Sequence, residues 1–384
     1  MLKRASLDAS IYQDLPNSRH IEMKDARTLG GLEKYQTAIH LFDQLPWFDP
    51  WVQKKLIPTI AARDFTGRPL LGALVIEGTK FGYPIVHGIP RLTPEIAHVH
   101  ASWLEMFGLS PPALTERCKW NFQDHGSVAS FGFQWNWDNE PRTEADLYWR
   151  IAERHGLTAG EFRGIDILDA GAGAGDQSRW LLQHGAKSVV SIDLSDAIEV
   201  AHKKLERNAN WLGIQGDITA LPFSEPCFNY IYCEGTIQHT RDSRLTVTEL
   251  LRVLAPRGKG VATHYIIPKS LKSKVQLSMR NVLRKRFSRL EPEKLLLLSG
   301  VLAVAAHLPF LSYFFRRTLA VSNPRMPFLK ATWSCTYDSY GSHAFQHHIR
   351  SDEFISYFLG ANIEACLSPD GGVLFKKTTT NYSA

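Results

Sequence analysis

A chain of 384 residues, 44% of them hydrophobic, can fill a sizeable core and excludes a sequence too polar to fold, in two domains or one with large additions. The net charge of +6 permits an anionic partner without demanding one. The five cysteines (Cys118, Cys227, Cys233, Cys335, Cys366) form no CxxC pair, which excludes a disulfide framework, and the first twenty residues hold no apolar leader, so a reduced, cytoplasmic protein is expected.

In chain order, residues 1–45 are polar with weak periodicity and read as a partly ordered lead-in. Residues 46–95, rich in proline, glycine and β-branched side chains, predict a small β-rich module. Residues 96–144 predict linker helices and then an aromatic segment, Ser130-Phe131-Gly132-Phe133-Gln134-Trp135-Asn136-Trp137. From residue 145 a helix leads into alternating strands and helices, with strands at 165–169, 188–193, 211–215, 230–233 and 260–267. A helix at 245–254 ends at Ala255-Pro256-Arg257-Gly258, since helices stop before proline and glycine. Strands separated by helices imply an α/β fold with a parallel, doubly wound sheet, and ligands then bind at the strands' carboxyl ends. The stretch Trp333 to Tyr340, with His343, His347 and His348, reads as a loop. A helix capped by Ser351 and stopped at Gly360 follows, and then an antiparallel hairpin of 362–367 with 372–377.

One stretch organises this pattern: residues 164–182, GIDILDAGAGAGDQSRWLL. An apolar strand ending in Asp169 meets Gly171, Gly173 and Gly175 and then an amphipathic helix start. Glycine reaches positive φ freely and leaves the backbone open to a ligand. About twenty residues on, a second strand ends in Asp193, where a carboxylate takes both hydroxyls of a ribose. The spacing is GxGxG rather than GxGxxG, and no GxxxxGK[ST] is present, so a phosphate-binding loop is not indicated.

These motifs resemble class I S-adenosylmethionine-dependent methyltransferases of the broad small-molecule group, over roughly Phe131 to Lys377. The resemblance implies a Rossmann-like sheet of seven strands, with S-adenosylmethionine as cofactor. Its implied cofactor residues are Asp169, Gly171, Gly173 and Gly175 at the methionine end, Asp193 at the ribose, and Asp217 with Ile218 at the adenine. It also implies that Glu234 orients the methionine amine or the loop. Phe131, Gln134 and Trp135 would cover the cofactor, where aromatic faces suit a sulfonium; packing between modules is the alternative. Leu221-Pro222-Phe223 and Glu234 to His239 match the segments flanking the family's fourth strand. The stretch Gly82 to Leu92 resembles the closing strand of Trm112-like zinc ribbons. The ribbon's cysteine positions superpose on Ala62, Phe65, Gly78 and Phe81, none of which ligates zinc, so Phe65 and Phe81 are expected to fill the metal's place.

A helical insertion at 269–330 follows the fifth strand. Residues 269–290 carry eight basic side chains and no acidic one, with Leu271, Val275, Met279, Val282 and Leu290 at helical spacing. The apolar run 295–315 comes directly after, interrupted by Gly300, His307 and Pro309. A membrane span, an interfacial pair in peripheral contact with the inner membrane face through 269–317, and a soluble lid or dimer surface all meet this pattern. His239, after the fourth strand, is the candidate general base for an oxygen nucleophile, the alternative being a histidine that orders the loop. Of His264 and Tyr265, at most one reaches the pocket, and Asp338 and Tyr340 are candidate lining residues. Adjacent His347 and His348 point apart, so no metal site is expected. The expected reaction is methyl transfer to a small or amphiphilic acceptor, lipid-linked or saccharide-like. An RNA or translation-factor methyltransferase and a non-catalytic cofactor-binding subunit are the alternatives. Nothing reads as a nucleic-acid module.

Overall fold

The computed structural model describes residues 40–114, 125–138, 142–321, 329–341, 345–360 and 362–378. Almost all of the lead-in, Cys118 and His343 lie outside them. After α1 (Leu41–Gln44), the β-rich module is an antiparallel sheet of β1 (Phe48–Asp49), β2 (Lys54–Arg63), β3 (Pro69–Ile76), β4 (Gly82–Val86) and β5 (Ile89–Pro90), paired in that order. Its apolar side is built from Leu56, Leu74, Ile76, Tyr83 and Ile85. Phe65 and Phe81 do not fill an interior; they stand 86% and 45% exposed, which corrects the expectation above. Phe65 falls in the turn from β2 to β3, where the Asp64 carboxylate accepts from the amides of Thr66 and Arg68 and turns the ring outward.

Helices α2 (Pro94–Val99), α3 (Ala101–Glu105), α4 (His125–Trp137) and α5 (Glu144–Ile151) lead to the main sheet. Its strands are β6 (Asp166–Ala170), β7 (Ser188–Asp193), β8 (Trp211–Gln215), β9 (Phe228–Cys233), β10 (Leu254–Ala262), β11 (Ile363–Leu367) and β12 (Val373–Lys377). They lie in the order β11-β12-β10-β9-β6-β7-β8, with β6 to β10 parallel and β12 antiparallel to both neighbours. Helices α6 (Asp176–Gln183), α7 (Ala197–Leu205) and α8 (Ser243–Val253) alternate with these strands.

Residues two apart on a strand share a face, and here both faces are covered. Leu168, Val190, Leu212 and Ile231 enter the same core as the apolar side of the first sheet. Ile167, Val189, Trp211 and Tyr230 pack instead against Ile151, Trp180, Leu181 and Ala201 of the helices. The first sheet thus takes the place that a helix layer alone would fill.

Two boundaries differ from the sequence reading. β10 begins at Leu254, directly after α8, and Ala255-Pro256-Arg257-Gly258 lies within it. The pairing with β9 slips between Leu254 and Lys259, and Arg257 adopts a left-handed φ of 63°. The proline–glycine signal therefore follows the end of α8, as expected, and also marks a bulge in the strand. The strand ends at Ala262, so His264 and Tyr265 lie beyond it.

The insertion folds as α9 (Leu271–Phe287), α10 (Pro292–Ala305), α11 (Ser312–Thr318) and α12 (Leu329–Tyr340). The stretch Trp333 to Tyr340, expected as a loop, is the body of α12. Tyr337 and Tyr340 lie on one helix face and join Leu295 and Leu302 in a small core of their own. Polar residues between those aromatics hide the period in the sequence. Ser351 is the first residue of α13 (Ser351–Ser356), and Arg350 rather than Ser351 holds the cap position. Among the described residues no helix is long and apolar enough to cross a membrane.

Candidate active site

At the carboxyl ends of β6 to β9 lies a cavity of about 630 Å³, within the size range of small-molecule sites. Gly171, Ala172 and Gly173 form one wall. Gly171 has φ +82° and Gly173 φ +51°, conformations that most side chains resist. A Cβ on Gly171 would stand 2.1 Å from Thr236 Oγ1, and one on Gly173 would stand 3.0 Å from the Trp135 ring. The turn is glycine because two cavity walls close on it.

The Asp193 carboxylate fixes this turn. Its Oδ2 accepts from Gly173 N at 2.8 Å, and its Oδ1 accepts from the amide and hydroxyl of Ser195 at 2.9 and 2.6 Å. Burial pushes its carboxyl above the usual range, against the pull of those hydrogen bonds. Asp217 and Ile218 line the cavity from the loop after β8, where Asp217 accepts from Thr219 N at 2.7 Å. Phe131, Gln134 and Trp135 line it from α4. Gln134 is buried beside the cavity, and its Oε1 has no hydrogen-bond partner.

Two expected cofactor residues do not reach the cavity. Asp169 lies beneath the turn at the end of a directed chain. Trp211 Nε1 donates to Ser191 Oγ at 2.7 Å, Ser191 to Ser178 Oγ at 2.6 Å, and Ser178 to Asp169 Oδ2 at 2.5 Å. Burial pushes the Asp169 carboxyl up to about 7, and the nearby Asp193 and Glu234 add to the rise. Gly175 caps α6 with φ +76°; an added Cβ there would lie 2.7 Å from the Ala201 Cβ, so this glycine lets α6 and α7 approach each other. The motif divides its residues between the cavity wall and packing.

Glu234 faces the cavity and anchors an ionic cluster. Arg154 Nη1 approaches its Oε1 at 2.7 Å and Arg150 Nη1 at 3.7 Å, and the Tyr232 hydroxyl donates to it as well. Burial alone would raise its carboxyl, but the two guanidinium groups outweigh that and hold it below the usual range.

The far end of the cavity is built by segments that the motif does not contain. His239 sits in the 3-10 turn Ile237–His239. Its Nδ1–H donates to the Phe345 carbonyl at 3.1 Å, which leaves the lone pair of a neutral ring on Nε2. The rings of Phe131 and Tyr265 meet it edge to face at 5.1 and 5.4 Å. Tyr265 lines the cavity, while His264 turns away to Ser243 Oγ at 3.1 Å, so one of the pair reaches the site. Asp338, presented by α12, faces the Tyr265 hydroxyl at 3.5 Å. Burial raises the Asp338 carboxyl to about 6, opposed by Tyr265 and by Arg284, Arg142 and Arg150. Tyr340 is elsewhere, donating to the Leu319 carbonyl within the insertion core. Among the described residues no group of His, Cys, Asp and Glu could hold a metal ion.

Sequence reasoning missed Trp51, Arg142, Arg150, Gln177 and Thr236, which also line the cavity. Arg150 carried a faint signal: Thr143 caps α5, and Asp146 pairs with Arg150 four residues on at 2.9 Å. Trp51 carried none, because a separate sheet delivers it.

A parallel sheet with a glycine turn after one strand, an acid at the tip of the next and a cavity between them makes this a Rossmann-like cofactor-binding domain. The family comparison narrows the class. Residues 167–258, from β6 into β10, match the family model described as a methyltransferase domain. This part of the chain is thus similar to a methyltransferase domain. A demethylmenaquinone methyltransferase of Clavibacter sepedonicus is 32% identical over 124 residues, covering 32% of this chain and 49% of the relative. A malonyl-[acyl-carrier protein] O-methyltransferase of Erwinia billingiae is 35% identical over 100 residues, covering 25% and 38%. The chain thus spans about half the length, or less, of these curated relatives. A solved structure described as an S-adenosylmethionine-dependent methyltransferase, from Mesorhizobium loti, is 25% identical, covers 28% of this chain and 52% of that one, and gives a TM-score of 0.26.

Proposed function

We propose that this chain transfers the methyl group of S-adenosylmethionine to an oxygen of a small or amphiphilic acceptor, lipid-linked or saccharide-like. One observation carries the reading: a single cavity runs from Gly171, Gly173 and Asp193 to His239, Tyr265 and Asp338. The cofactor's residues and a proton acceptor therefore share one chamber. The residues present fit the cofactor, since Gly171, Gly173, Asp193, Asp217 and Glu234 all face one cavity of about 630 Å³.

The sulfonium, when bound, supplies both the methyl group and its own leaving group. Gly171, Gly173 and Glu234 would hold its methionine end, Asp193 the ribose, and Asp217 with Ile218 the adenine. What remains for this chain is to align the acceptor, exclude water and take up a proton. Phe131, Trp135 and Phe345 line the chamber and keep water out. His239 Nε2 accepts the acceptor's proton, with its ring fixed through Nδ1 by the Phe345 carbonyl. Asp338 and Tyr265 orient the acceptor's polar end. The oxygen acceptor is in keeping with the O-methyltransferase among the relatives.

The test is methyl transfer from labelled S-adenosylmethionine to a panel of lipid-linked and sugar acceptors. With an accepted substrate, His239→Asn should lower kcat by about 10²- to 10⁴-fold and leave cofactor affinity unchanged. Equal loss of cofactor affinity and turnover would show that His239 merely orders the loop.

A further inference from the structure

The insertion between β10 and β11 has two sides of opposite chemistry. Its inner side completes the cavity, since α12 supplies Ser334, Cys335 and Asp338, and Phe287 of α9 packs on Tyr340 with ring centroids 5.1 Å apart. Its exposed surface combines basic side chains with an unusual number of large apolar ones. Twelve of the 24 large apolar side chains exposed among the described residues lie between Leu271 and Phe314, too dense a concentration for scattered surface apolars.

The exposed residues are ordered. Leu271, Val275, Met279 and Val282 recur on one face of α9, about 100° around the helix from the partly buried Leu283 and Phe287. On α10, Leu297, Val301 and Val304 do the same and continue to Leu308. At the tip between α10 and α11, Phe310 is 99% exposed and holds a left-handed φ of 68°. That backbone is strained for an aromatic residue, and it thrusts the ring into solvent. Cations surround the α9 stripe: at 100° per residue, exposed Lys272 lies on one side of it, exposed Lys274 and Lys285 on the other, and exposed Arg286 within it. Residues 269–290 include no acid.

We infer that this face docks on an anionic lipid bilayer. The helices are too short to cross one, α10 having 14 residues and α11 seven, so they lie in its plane. The apolar stripes and Phe310 enter the acyl boundary, and the lysine ammonium groups reach the phosphates by snorkelling. A nucleic acid would meet the cations and leave the stripes in water. A second copy of this chain would cover the stripes and set two rows of lysines against each other. The bilayer alone matches both features. Docking does not depend on the methyl-transfer reading. A consequence does: the same insertion lines the cavity, so an amphiphilic acceptor reaches His239 from the membrane.

The test is co-sedimentation of the full chain with phosphatidylcholine vesicles, with and without phosphatidylglycerol, alongside calorimetric titration with S-adenosylmethionine. Binding should favour the anionic vesicles by at least about tenfold, at roughly 1 kcal/mol for each lysine near the surface. Phe310→Ser with Leu297→Ser, and separately Lys272→Glu with Lys285→Glu, should each weaken vesicle binding about tenfold while leaving melting temperature and cofactor affinity unchanged. Four results would overturn the inference: no vesicle binding by a folded protein, variants that bind equally well, salt-sensitive binding to RNA in place of vesicles, or a dimer abolished by Phe310→Ser. Failed docking with intact cofactor binding would leave the methyl-transfer reading standing, and the reverse result would remove that reading alone.

Discussion

Gly171→Ala tests how tightly the cavity wall is built. The new Cβ would sit 2.1, 2.4 and 2.6 Å from Oγ1, Cγ2 and Cβ of Thr236. Each distance falls well short of the ~3.5 Å at which carbon contacts become favourable. The turn cannot simply move away, because Gly171 N donates to the Ile192 carbonyl at 2.7 Å. Thr236 is held in turn, its hydroxyl donating to the Glu234 carbonyl at 3.1 Å. Left-handed backbone costs a non-glycine residue about 1–2 kcal/mol, and overpacking adds about 1–3 kcal/mol. The total destabilisation should be about 2–5 kcal/mol, read as a shift in denaturant midpoint. Thr236→Gly in the same chain removes all three clashing atoms and should return the steric share, a coupling of about 1–3 kcal/mol in a double-mutant cycle. The backbone share should stay lost. A single variant that costs under about 1 kcal/mol, or a cycle without coupling, would refute the claim that Thr236 closes on the glycine.

Two further outcomes follow from the site. Asp169 has its carboxyl raised from 3.8 to about 7 in the folded state. A raised carboxylate gives stability that is complete below the unfolded value and is lost as pH climbs through the folded one. Denaturation from pH 4 to 8 should therefore show Asp169→Asn gaining on the natural protein by up to about 4 kcal/mol; parallel curves would refute the buried ionisation. Replacing His239 by Asn should leave that pH dependence of stability unaltered while it cuts turnover, because His239 lines the open cavity rather than the buried chain.

The parts of the fold legible in sequence were those set by local chemistry. Short apolar runs between helices placed β7 and β8 at their observed limits, and the glycine turn with Asp193 located the cavity. The same locality explains the errors. The proline and glycine after residue 254 do follow the end of α8 at Val253, but only the pairing of Leu254 with Phe228 shows that a strand starts there. Asp169 and Gly175 belong to the motif by spacing, yet one is sealed under the turn and the other spaces two helices. The far end of the cavity was only partly legible: His239, Tyr265 and Asp338 stood out in the sequence, whereas Trp51 and Arg142 join them only through tertiary folding.

The central claim is that Gly171, Gly173 and Asp193 cradle S-adenosylmethionine. Calorimetric titration of the natural protein and of Asp193→Ala, with melting curves to confirm that both are folded, tests it most directly. Micromolar binding, weakened at least about tenfold by loss of charged hydrogen bonds worth roughly 1.5–3 kcal/mol each, is the predicted result. A folded natural protein that takes up no cofactor, or a folded variant that binds it equally well, would contradict the account.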